Sequence, residues 1–134
     1  MVHYDRVMNP PRLRIAGTVL STRDAGALAG FYERLLGWPR VADEPGWVVL
    51  RPDPRGHGLS FHEDVEFVPP TWPSEPGAQQ MMVHLDIATD DLDAAEAHAV
   101  ACGARPAAVQ PQDGVLVMLD PDGHPFCLFP SPDW

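Results

Sequence analysis

Six histidines, two cysteines and a scatter of carboxylates carry the chemistry open to this chain of 134 residues, and their spacing sorts them. His84 and Asp86 stand two apart in the stretch 81–89, whose alternation puts Val83, Leu85 and Ile87 on one strand face and His84, Asp86 and Ala88 on the other. An imidazole beside a carboxylate can accept or donate a hydrogen bond, move a proton or hold a cation. His62 follows Ser60 by two in the stretch 59–63, so this pair also shares a face. His57 and His124 fall in turns, and His98 lies on a helix between its apolar stripe and solvent; a structural role is expected for all three. Cys102 ends a helix and Cys127 lies inside a strand, a poor disulfide framework, so free thiols are expected. Trp72 stands among prolines and reads as a packing plug in preference to a ligand-stacking group.

The elements that must position these residues come in two copies. Asp120-Pro121-Asp122-Gly123-His124-Pro125-Phe126 repeats, 67 residues on, the string Asp53-Pro54-Arg55-Gly56-His57-Gly58-Leu59, and the same offset pairs Asp24 with Asp91. Each string reads as a type I turn, opened by Asp, preset by Pro and closed by Gly, and each leads into a strand. Ahead of the first turn, residues 12–21 read as a strand. Asp24 caps a helix over 25–36, whose Leu28, Phe31, Tyr32 and Leu35 form one stripe before Gly37 ends it. Short strands follow at 38–43, 47–51 and 59–63. In the second copy the strand at 81–89 precedes a helix capped by Asp90 or Asp91, with Leu92, Ala95, Ala99 and Cys102 on its stripe and Gly103 as its stop. Strands at 105–109, 115–119 and 126–129 complete it.

The predicted class is therefore α+β, with two tandem βαβββ modules of about 12–63 and 80–130 in a single domain, joined by a connector over 64–79 rich in proline. Residues 1–11 read as a poorly ordered lead-in. One helix per module covers one sheet face, so the other must meet the second module, a second subunit or a ligand.

The net charge of −10, from 19 acidic residues against nine arginines and no lysine, excludes nucleic acid and anionic membrane as partners and mildly favours a neutral or cationic small molecule. No apolar run is long enough to cross a membrane, and the opening residues lack the apolar core of a signal peptide, so a cytoplasmic location is expected.

The strings Phe31-Tyr32-Glu33-Arg34-Leu35-Leu36-Gly37-Trp38, His84 through Leu92, and Asp120 through Cys127, with Trp72 in its proline segment, resemble the vicinal oxygen chelate superfamily. That superfamily includes glyoxalase I, extradiol dioxygenases and bleomycin-resistance proteins, and the likeness spans roughly residues 12–130. It implies two modules whose curled, mixed sheets form a cleft, within one chain or across a homodimer, the state expected here. In the family's metalloenzymes four side chains enter that cleft, from the first and last strands of each module.

Carried over by the 67-residue offset, those positions are His84 and Cys127 in the second module but Gly17 and Ser60 in the first. Glycine offers no ligand and serine a poor one. His62, two residues beyond Ser60, and Asp86, two beyond His84, are the candidate substitutes, and a set of His84, Cys127 and His62 would suit zinc; nickel, iron and manganese are the other metals such a site would take. The expected function is binding of a small organic ligand in the cleft, lined by His84, Asp86, Cys127, Ser60, His62, Trp47, Phe61 and Trp72, without an intact four-ligand metal site. The alternative is a metal-dependent lyase or dioxygenase. Metal-free catalysis, with His84 as general base and Cys127 as nucleophile or acid, ranks last, since it needs the two within hydrogen-bond reach and a lowered thiol pKa.

Overall fold

The computed structural model describes residues 10–133, and the larger part of the expected lead-in, residues 1–9, lies outside them. The first module comprises β1 (Gly17–Thr22), α1 (Ala25–Leu36), β2 (Arg40–Glu44), β3 (Trp47–Leu50) and β4 (Gly58–Glu63). The second comprises β5 (Leu85–Thr89), α2 (Leu92–Cys102), β6 (Arg105–Pro106), β7 (Leu116–Leu119) and β8 (Pro125–Pro130). Each module forms one mixed four-stranded sheet, in the orders β1-β4-β3-β2 and β5-β8-β7-β6, with the first and last strands parallel. The fold is α+β and consists of two βαβββ modules.

The repeat extends to individual hydrogen bonds. Thr18 pairs with Leu59 in the first sheet and Leu85 with Phe126 in the second, each residue 67 positions from its counterpart. Asp24 accepts from the Ala27 amide and Asp91 from the Ala94 amide, both at 3.0 Å, so each helix has one of its unpaired first-turn donors satisfied. In the turns, Gly56 donates to the Asp53 carbonyl and Gly123 to the Asp120 carbonyl. Replacing Asp24 or Asp91 by Ala is expected to lower the unfolding free energy by about 1 kcal/mol each, read from denaturant midpoints. Equal losses at the two sites would show that the duplicated caps are energetically equivalent.

Three strands fall short of their sequence patterns by three residues or more, for identifiable reasons. Strand β1 starts at Gly17 and not at Arg12, because its partner β4 starts at Gly58; Leu13 and Ile15 are left exposed. In the second module the chain enters β5 at Leu85, so residues 81–84 are outside the strand. The Gly58 amide donates to the Ala16 carbonyl in the first module, whereas Pro125 at the equivalent place has no N–H to give. Strand β6 ends at Pro106, and the Gln110 side chain then takes over pairing with β7, accepting from the Val117 amide and donating to its carbonyl, both at 2.8 Å.

Both sheets turn their helix-covered faces to one core. Leu59 and Phe61 of β4 and Phe126 and Leu128 of β8 belong to the same buried cluster as Leu28, Phe31 and Tyr32 of α1. The Tyr32 ring stacks on Phe61 at 5.5 Å and meets Phe126 of the other sheet edge-on at 6.4 Å, so it bridges the two modules. The opposite sheet faces consequently look away from this core. Phe61, expected in the cleft lining, is fully buried on the helix side instead: alternation forces it opposite to Ser60 and His62. Among the described residues no helix is long and apolar enough to cross a membrane.

Candidate functional site

The open face of the second sheet carries the densest chemistry. Strand β5 and the residue before it present His84 and Asp86, and β8 presents Cys127, paired in register with Asp86. The His84 Nε2 lies 3.2 Å from an Asp86 carboxylate oxygen. One ligand-capable atom from each of His84, Asp86 and Cys127 falls within 4.8 Å of the others, and no other group of three such residues occurs among the described residues. They border a hollow of about 300 Å³ shared with Gln112, Val115 and Phe129.

The Cys127 thiol is pushed above its ordinary pKa, first by burial and then by the charge of Asp86 and a hydrogen bond to it. At neutral pH it is a protonated donor to that carboxylate and not a thiolate. A thiol held protonated is a weaker nucleophile than a thiolate. The pair Asp86 and Cys127 instead offers a hydrogen-bonding, anionic patch beside the His84 imidazole.

The first sheet's open face is built differently. Trp47 of β3 pairs in register with His62 of β4, and their rings meet edge-on at 6.5 Å. Ser60 lies deeper on the same face, between Val19 of β1 and Val49 of β3. His62 is exposed, and it does not join the His84, Asp86 and Cys127 group. The structure thus brings His84, Asp86 and Cys127 together on one sheet and Trp47, Ser60 and His62 on the other, each on a face directed away from the common core.

The remaining expected residues have other partners. The Trp72 indole donates to the Val109 carbonyl at 3.1 Å and fastens the connector to the second module. His57 bonds Thr18 at 2.8 Å, His124 donates to the Ser21 carbonyl at 2.8 Å, and His98 donates to the Leu35 carbonyl at 3.1 Å. All three tie neighbouring segments together, as expected of structural histidines. Both cysteines are free thiols.

The four-position metal set implied by the resemblance does not fit this chain. A Cβ added at Gly17 would lie 2.7 Å from the Gly58 carbonyl oxygen, so the position has no room for any side chain on the present backbone. Ser60 is the other first-module position and is a weak ligand type. The sequence signals both departures by residue type. It does not signal the buried bond of 2.8 Å from the Tyr32 hydroxyl to Asp120, since neither residue stands near the other in the repeat.

Comparison with known proteins bears on the whole architecture. A family model described as a glyoxalase-like domain matches residues 17–129. Among solved structures, a glyoxalase/bleomycin resistance protein/dioxygenase family enzyme from Burkholderia phytofirmans PsJN is 19% identical, with 88% of this chain and 98% of that chain covered at a TM-score of 0.65. A glyoxalase-related enzyme from Fulvimarina pelagi is 21% identical over 91% of both chains, with a TM-score of 0.62. A bleomycin-binding protein complexed with bleomycin is 25% identical, with 89% of this chain and 99% of that chain covered at a TM-score of 0.58. No curated protein matches.

Proposed function

The chain belongs to the glyoxalase-like domain family, and from that premise we propose that it binds a small organic ligand against the open faces of its sheets, without the four-ligand metal centre of the family's metalloenzymes. The observation that carries this reading is the convergence of His84, Asp86 and Cys127 on a sheet face that no helix covers, at the edge of a hollow of about 300 Å³. The ligand class is aromatic or cationic: Asp86 is an exposed carboxylate, Phe129 supplies an aromatic edge, and the chain carries a net charge of −10. A structural neighbour that holds bleomycin supports a ligand of this kind on this fold.

The cleft is completed by a second copy. Because the two sheets of one chain share a core on their helix sides, their open faces do not oppose each other within the chain. In a homodimer the Trp47 and His62 wall of one protomer would face the His84, Asp86 and Cys127 wall of its partner. Exposed apolar residues at the free edges of β1 and of the segment entering β5, namely Ile15, Val19, Met82 and Val83, are the surface such a contact would bury. Two unpaired thiols fit a reducing compartment, and we place the protein in the cytoplasm.

Equilibrium binding of bleomycin and of smaller aromatic cations tests the ligand class. His84→Ala is expected to weaken a bound ligand by about 10-fold or more, the loss of one charge-assisted hydrogen bond, with the circular dichroism spectrum unchanged. Unaltered affinity would take His84 out of the site. Sedimentation at micromolar concentration should give a dimer, and a monomer that still binds ligand would overturn the shared cleft.

A further inference from the structure

We propose that Arg51 anchors an anionic group of the ligand on the open face of the first sheet, and that the ligand is an aromatic carboxylate lying along that face. This rests on the reading that the ligand meets the open sheet faces, and it narrows the ligand's class. Alternation continues the side of β3 that carries Trp47 and Val49 to Arg51, and the side of β4 that carries His62 and Ser60 to Gly58. The face thus comes in three rows across the strands. The first holds the Trp47 and His62 rings, the second the buried pair Val49 and Ser60, and the third Arg51 beside Gly58 and its register partner Gly17.

Two neighbouring glycines leave the third row bare, and the arginine uses the space. A Cβ added at Gly58 would lie 2.9 Å from the Arg51 Cγ and 3.6 Å from its Nε, so the stem of Arg51 lies over β4 where a side chain would otherwise stand. In the second module the equivalent row carries His84, Pro125 and Leu119, the last two paired in register, so the cation is particular to the first module. Its guanidinium is also unclaimed. The chain has 19 acidic residues, yet among the described residues the ion pairs join Arg40 to Glu33 and Asp43 and His84 to Asp86, and the Arg51 side chain has neither an ion pair nor a hydrogen bond. A planar fork of N–H donors on a bare row fits a carboxylate, which it binds through two parallel bonds. Direct contact with that fork outweighs the net charge of −10, since exposed charges beyond a Debye length of about 8–10 Å are largely screened. Four residues separate Trp47 from Arg51, about 13 Å along the strand. A ring against Trp47 and a carboxylate at Arg51 therefore define an elongated molecule, an aryl group on a short alkyl acid, with Val49 and Ser60 under its chain.

The test uses the full chain and phenylbutyrate as the probe, with phenylbutanol and phenylbutylamine as neutral and cationic molecules of the same length. Titrations are followed in nitrogen–proton NMR spectra through the Arg51 Nε–H signal, identified by its loss in Arg51→Gln, and the Trp47 indole signal, identified by its loss in Trp47→Phe. Phenylbutyrate is expected to shift both signals saturably with one affinity, and to bind more tightly than the alcohol or the amine. Arg51→Gln should weaken it by roughly tenfold or more, read from the Trp47 signal. Arg55→Gln, which removes an equal charge from an exposed position in the neighbouring turn, should leave it unchanged. An Arg51 signal that phenylbutyrate does not move, an amine that binds as tightly as the acid, or equal losses in Arg51→Gln and Arg55→Gln would each overturn the proposal. Bleomycin bound through His84, with no response of Arg51 to phenylbutyrate, would refute this inference and leave the ligand-binding reading standing. Phenylbutyrate held by Arg51, with His84→Ala without effect on any ligand, would do the opposite, taking His84 out of the site and leaving Arg51 in it.

Discussion

Asp120→Ala is expected to lower the unfolding free energy by about 3–5 kcal/mol. Asp120 is fully buried and accepts three hydrogen bonds: from the Tyr32 hydroxyl at 2.8 Å, from the Asp122 amide at 2.9 Å and from the His124 amide at 3.0 Å. Truncation leaves the buried phenol and two turn amides without their acceptor, and each such orphan costs about 1–3 kcal/mol. The damage is not local. Tyr32 is the ring that touches both sheets, and the same turn holds β1 through His124 to the Ser21 carbonyl and through Asp122 to the Thr22 hydroxyl. Denaturant titration checks the size of the loss. Asp53→Ala is the internal control: the first-module turn accepts from the Arg55 amide in the same way, but Asp53 is exposed and Ala99 occupies the position equivalent to Tyr32. Its loss should stay near 1 kcal/mol or below.

This group also leaves a mark on the pH dependence of stability. Burial raises the Asp120 pKa above its ordinary value of 3.8, against the lowering effects of His124 and of the Tyr32 bond. The folded state therefore holds the proton more tightly than the unfolded state. The stabilisation is complete below pH 3.8 and is lost as pH rises through the higher folded value. Asp120→Asn keeps an acceptor for the turn and cannot titrate, so the stability difference between wild type and this variant should move in favour of the variant over that window. At the alkaline end, burial and the Asp120 charge raise Tyr32 well above 10.0, so stability contributed by the protonated phenol falls once the unfolded chain begins to ionise above that pH.

Most of the architecture was legible in the sequence because it is written twice. The Asp-Pro turns, the aspartate caps and the helix stripes are local signals, and a repeat at one offset checks each against its copy. The strand ends were less legible, since they depend on partners: the start of β5 turns on a missing N–H at Pro125, a residue 40 positions away in the chain. The site divided in the same way. Alternation put His84 and Asp86 on the uncovered face, and it also required Phe61, between Ser60 and His62, to point into the core, against its expected place in the lining. What alternation could not supply was the orientation of the modules. That rests on Tyr32 standing between Phe61 and Phe126, a contact between segments with no pattern in common.

Gly17→Ala is expected to cost about 1–3 kcal/mol, and Gly17→His more, without adding a metal ligand. Glycine inside a strand marks a close approach of backbones. Here the added Cβ would stand 2.7 Å from the Gly58 carbonyl oxygen and 3.1 Å from its carbon, and both contacts are backbone. Strand β4 has no room to retreat: a Cβ at Gly58 would itself meet the Leu50 carbonyl oxygen at 2.8 Å. Three strands are thus drawn together along this row, and a larger residue must push β1 away from the sheet. If the first module had merely lost a ligand, Gly17→His would restore one, raising metal affinity at little cost in stability. If the strands are packed as described, the substitution lowers the unfolding free energy and adds no metal binding. Denaturant titration and chelator competition on the one variant decide between these. The second outcome gives Gly17 a packing role, with β1 held against β4 at a distance that no side chain fits.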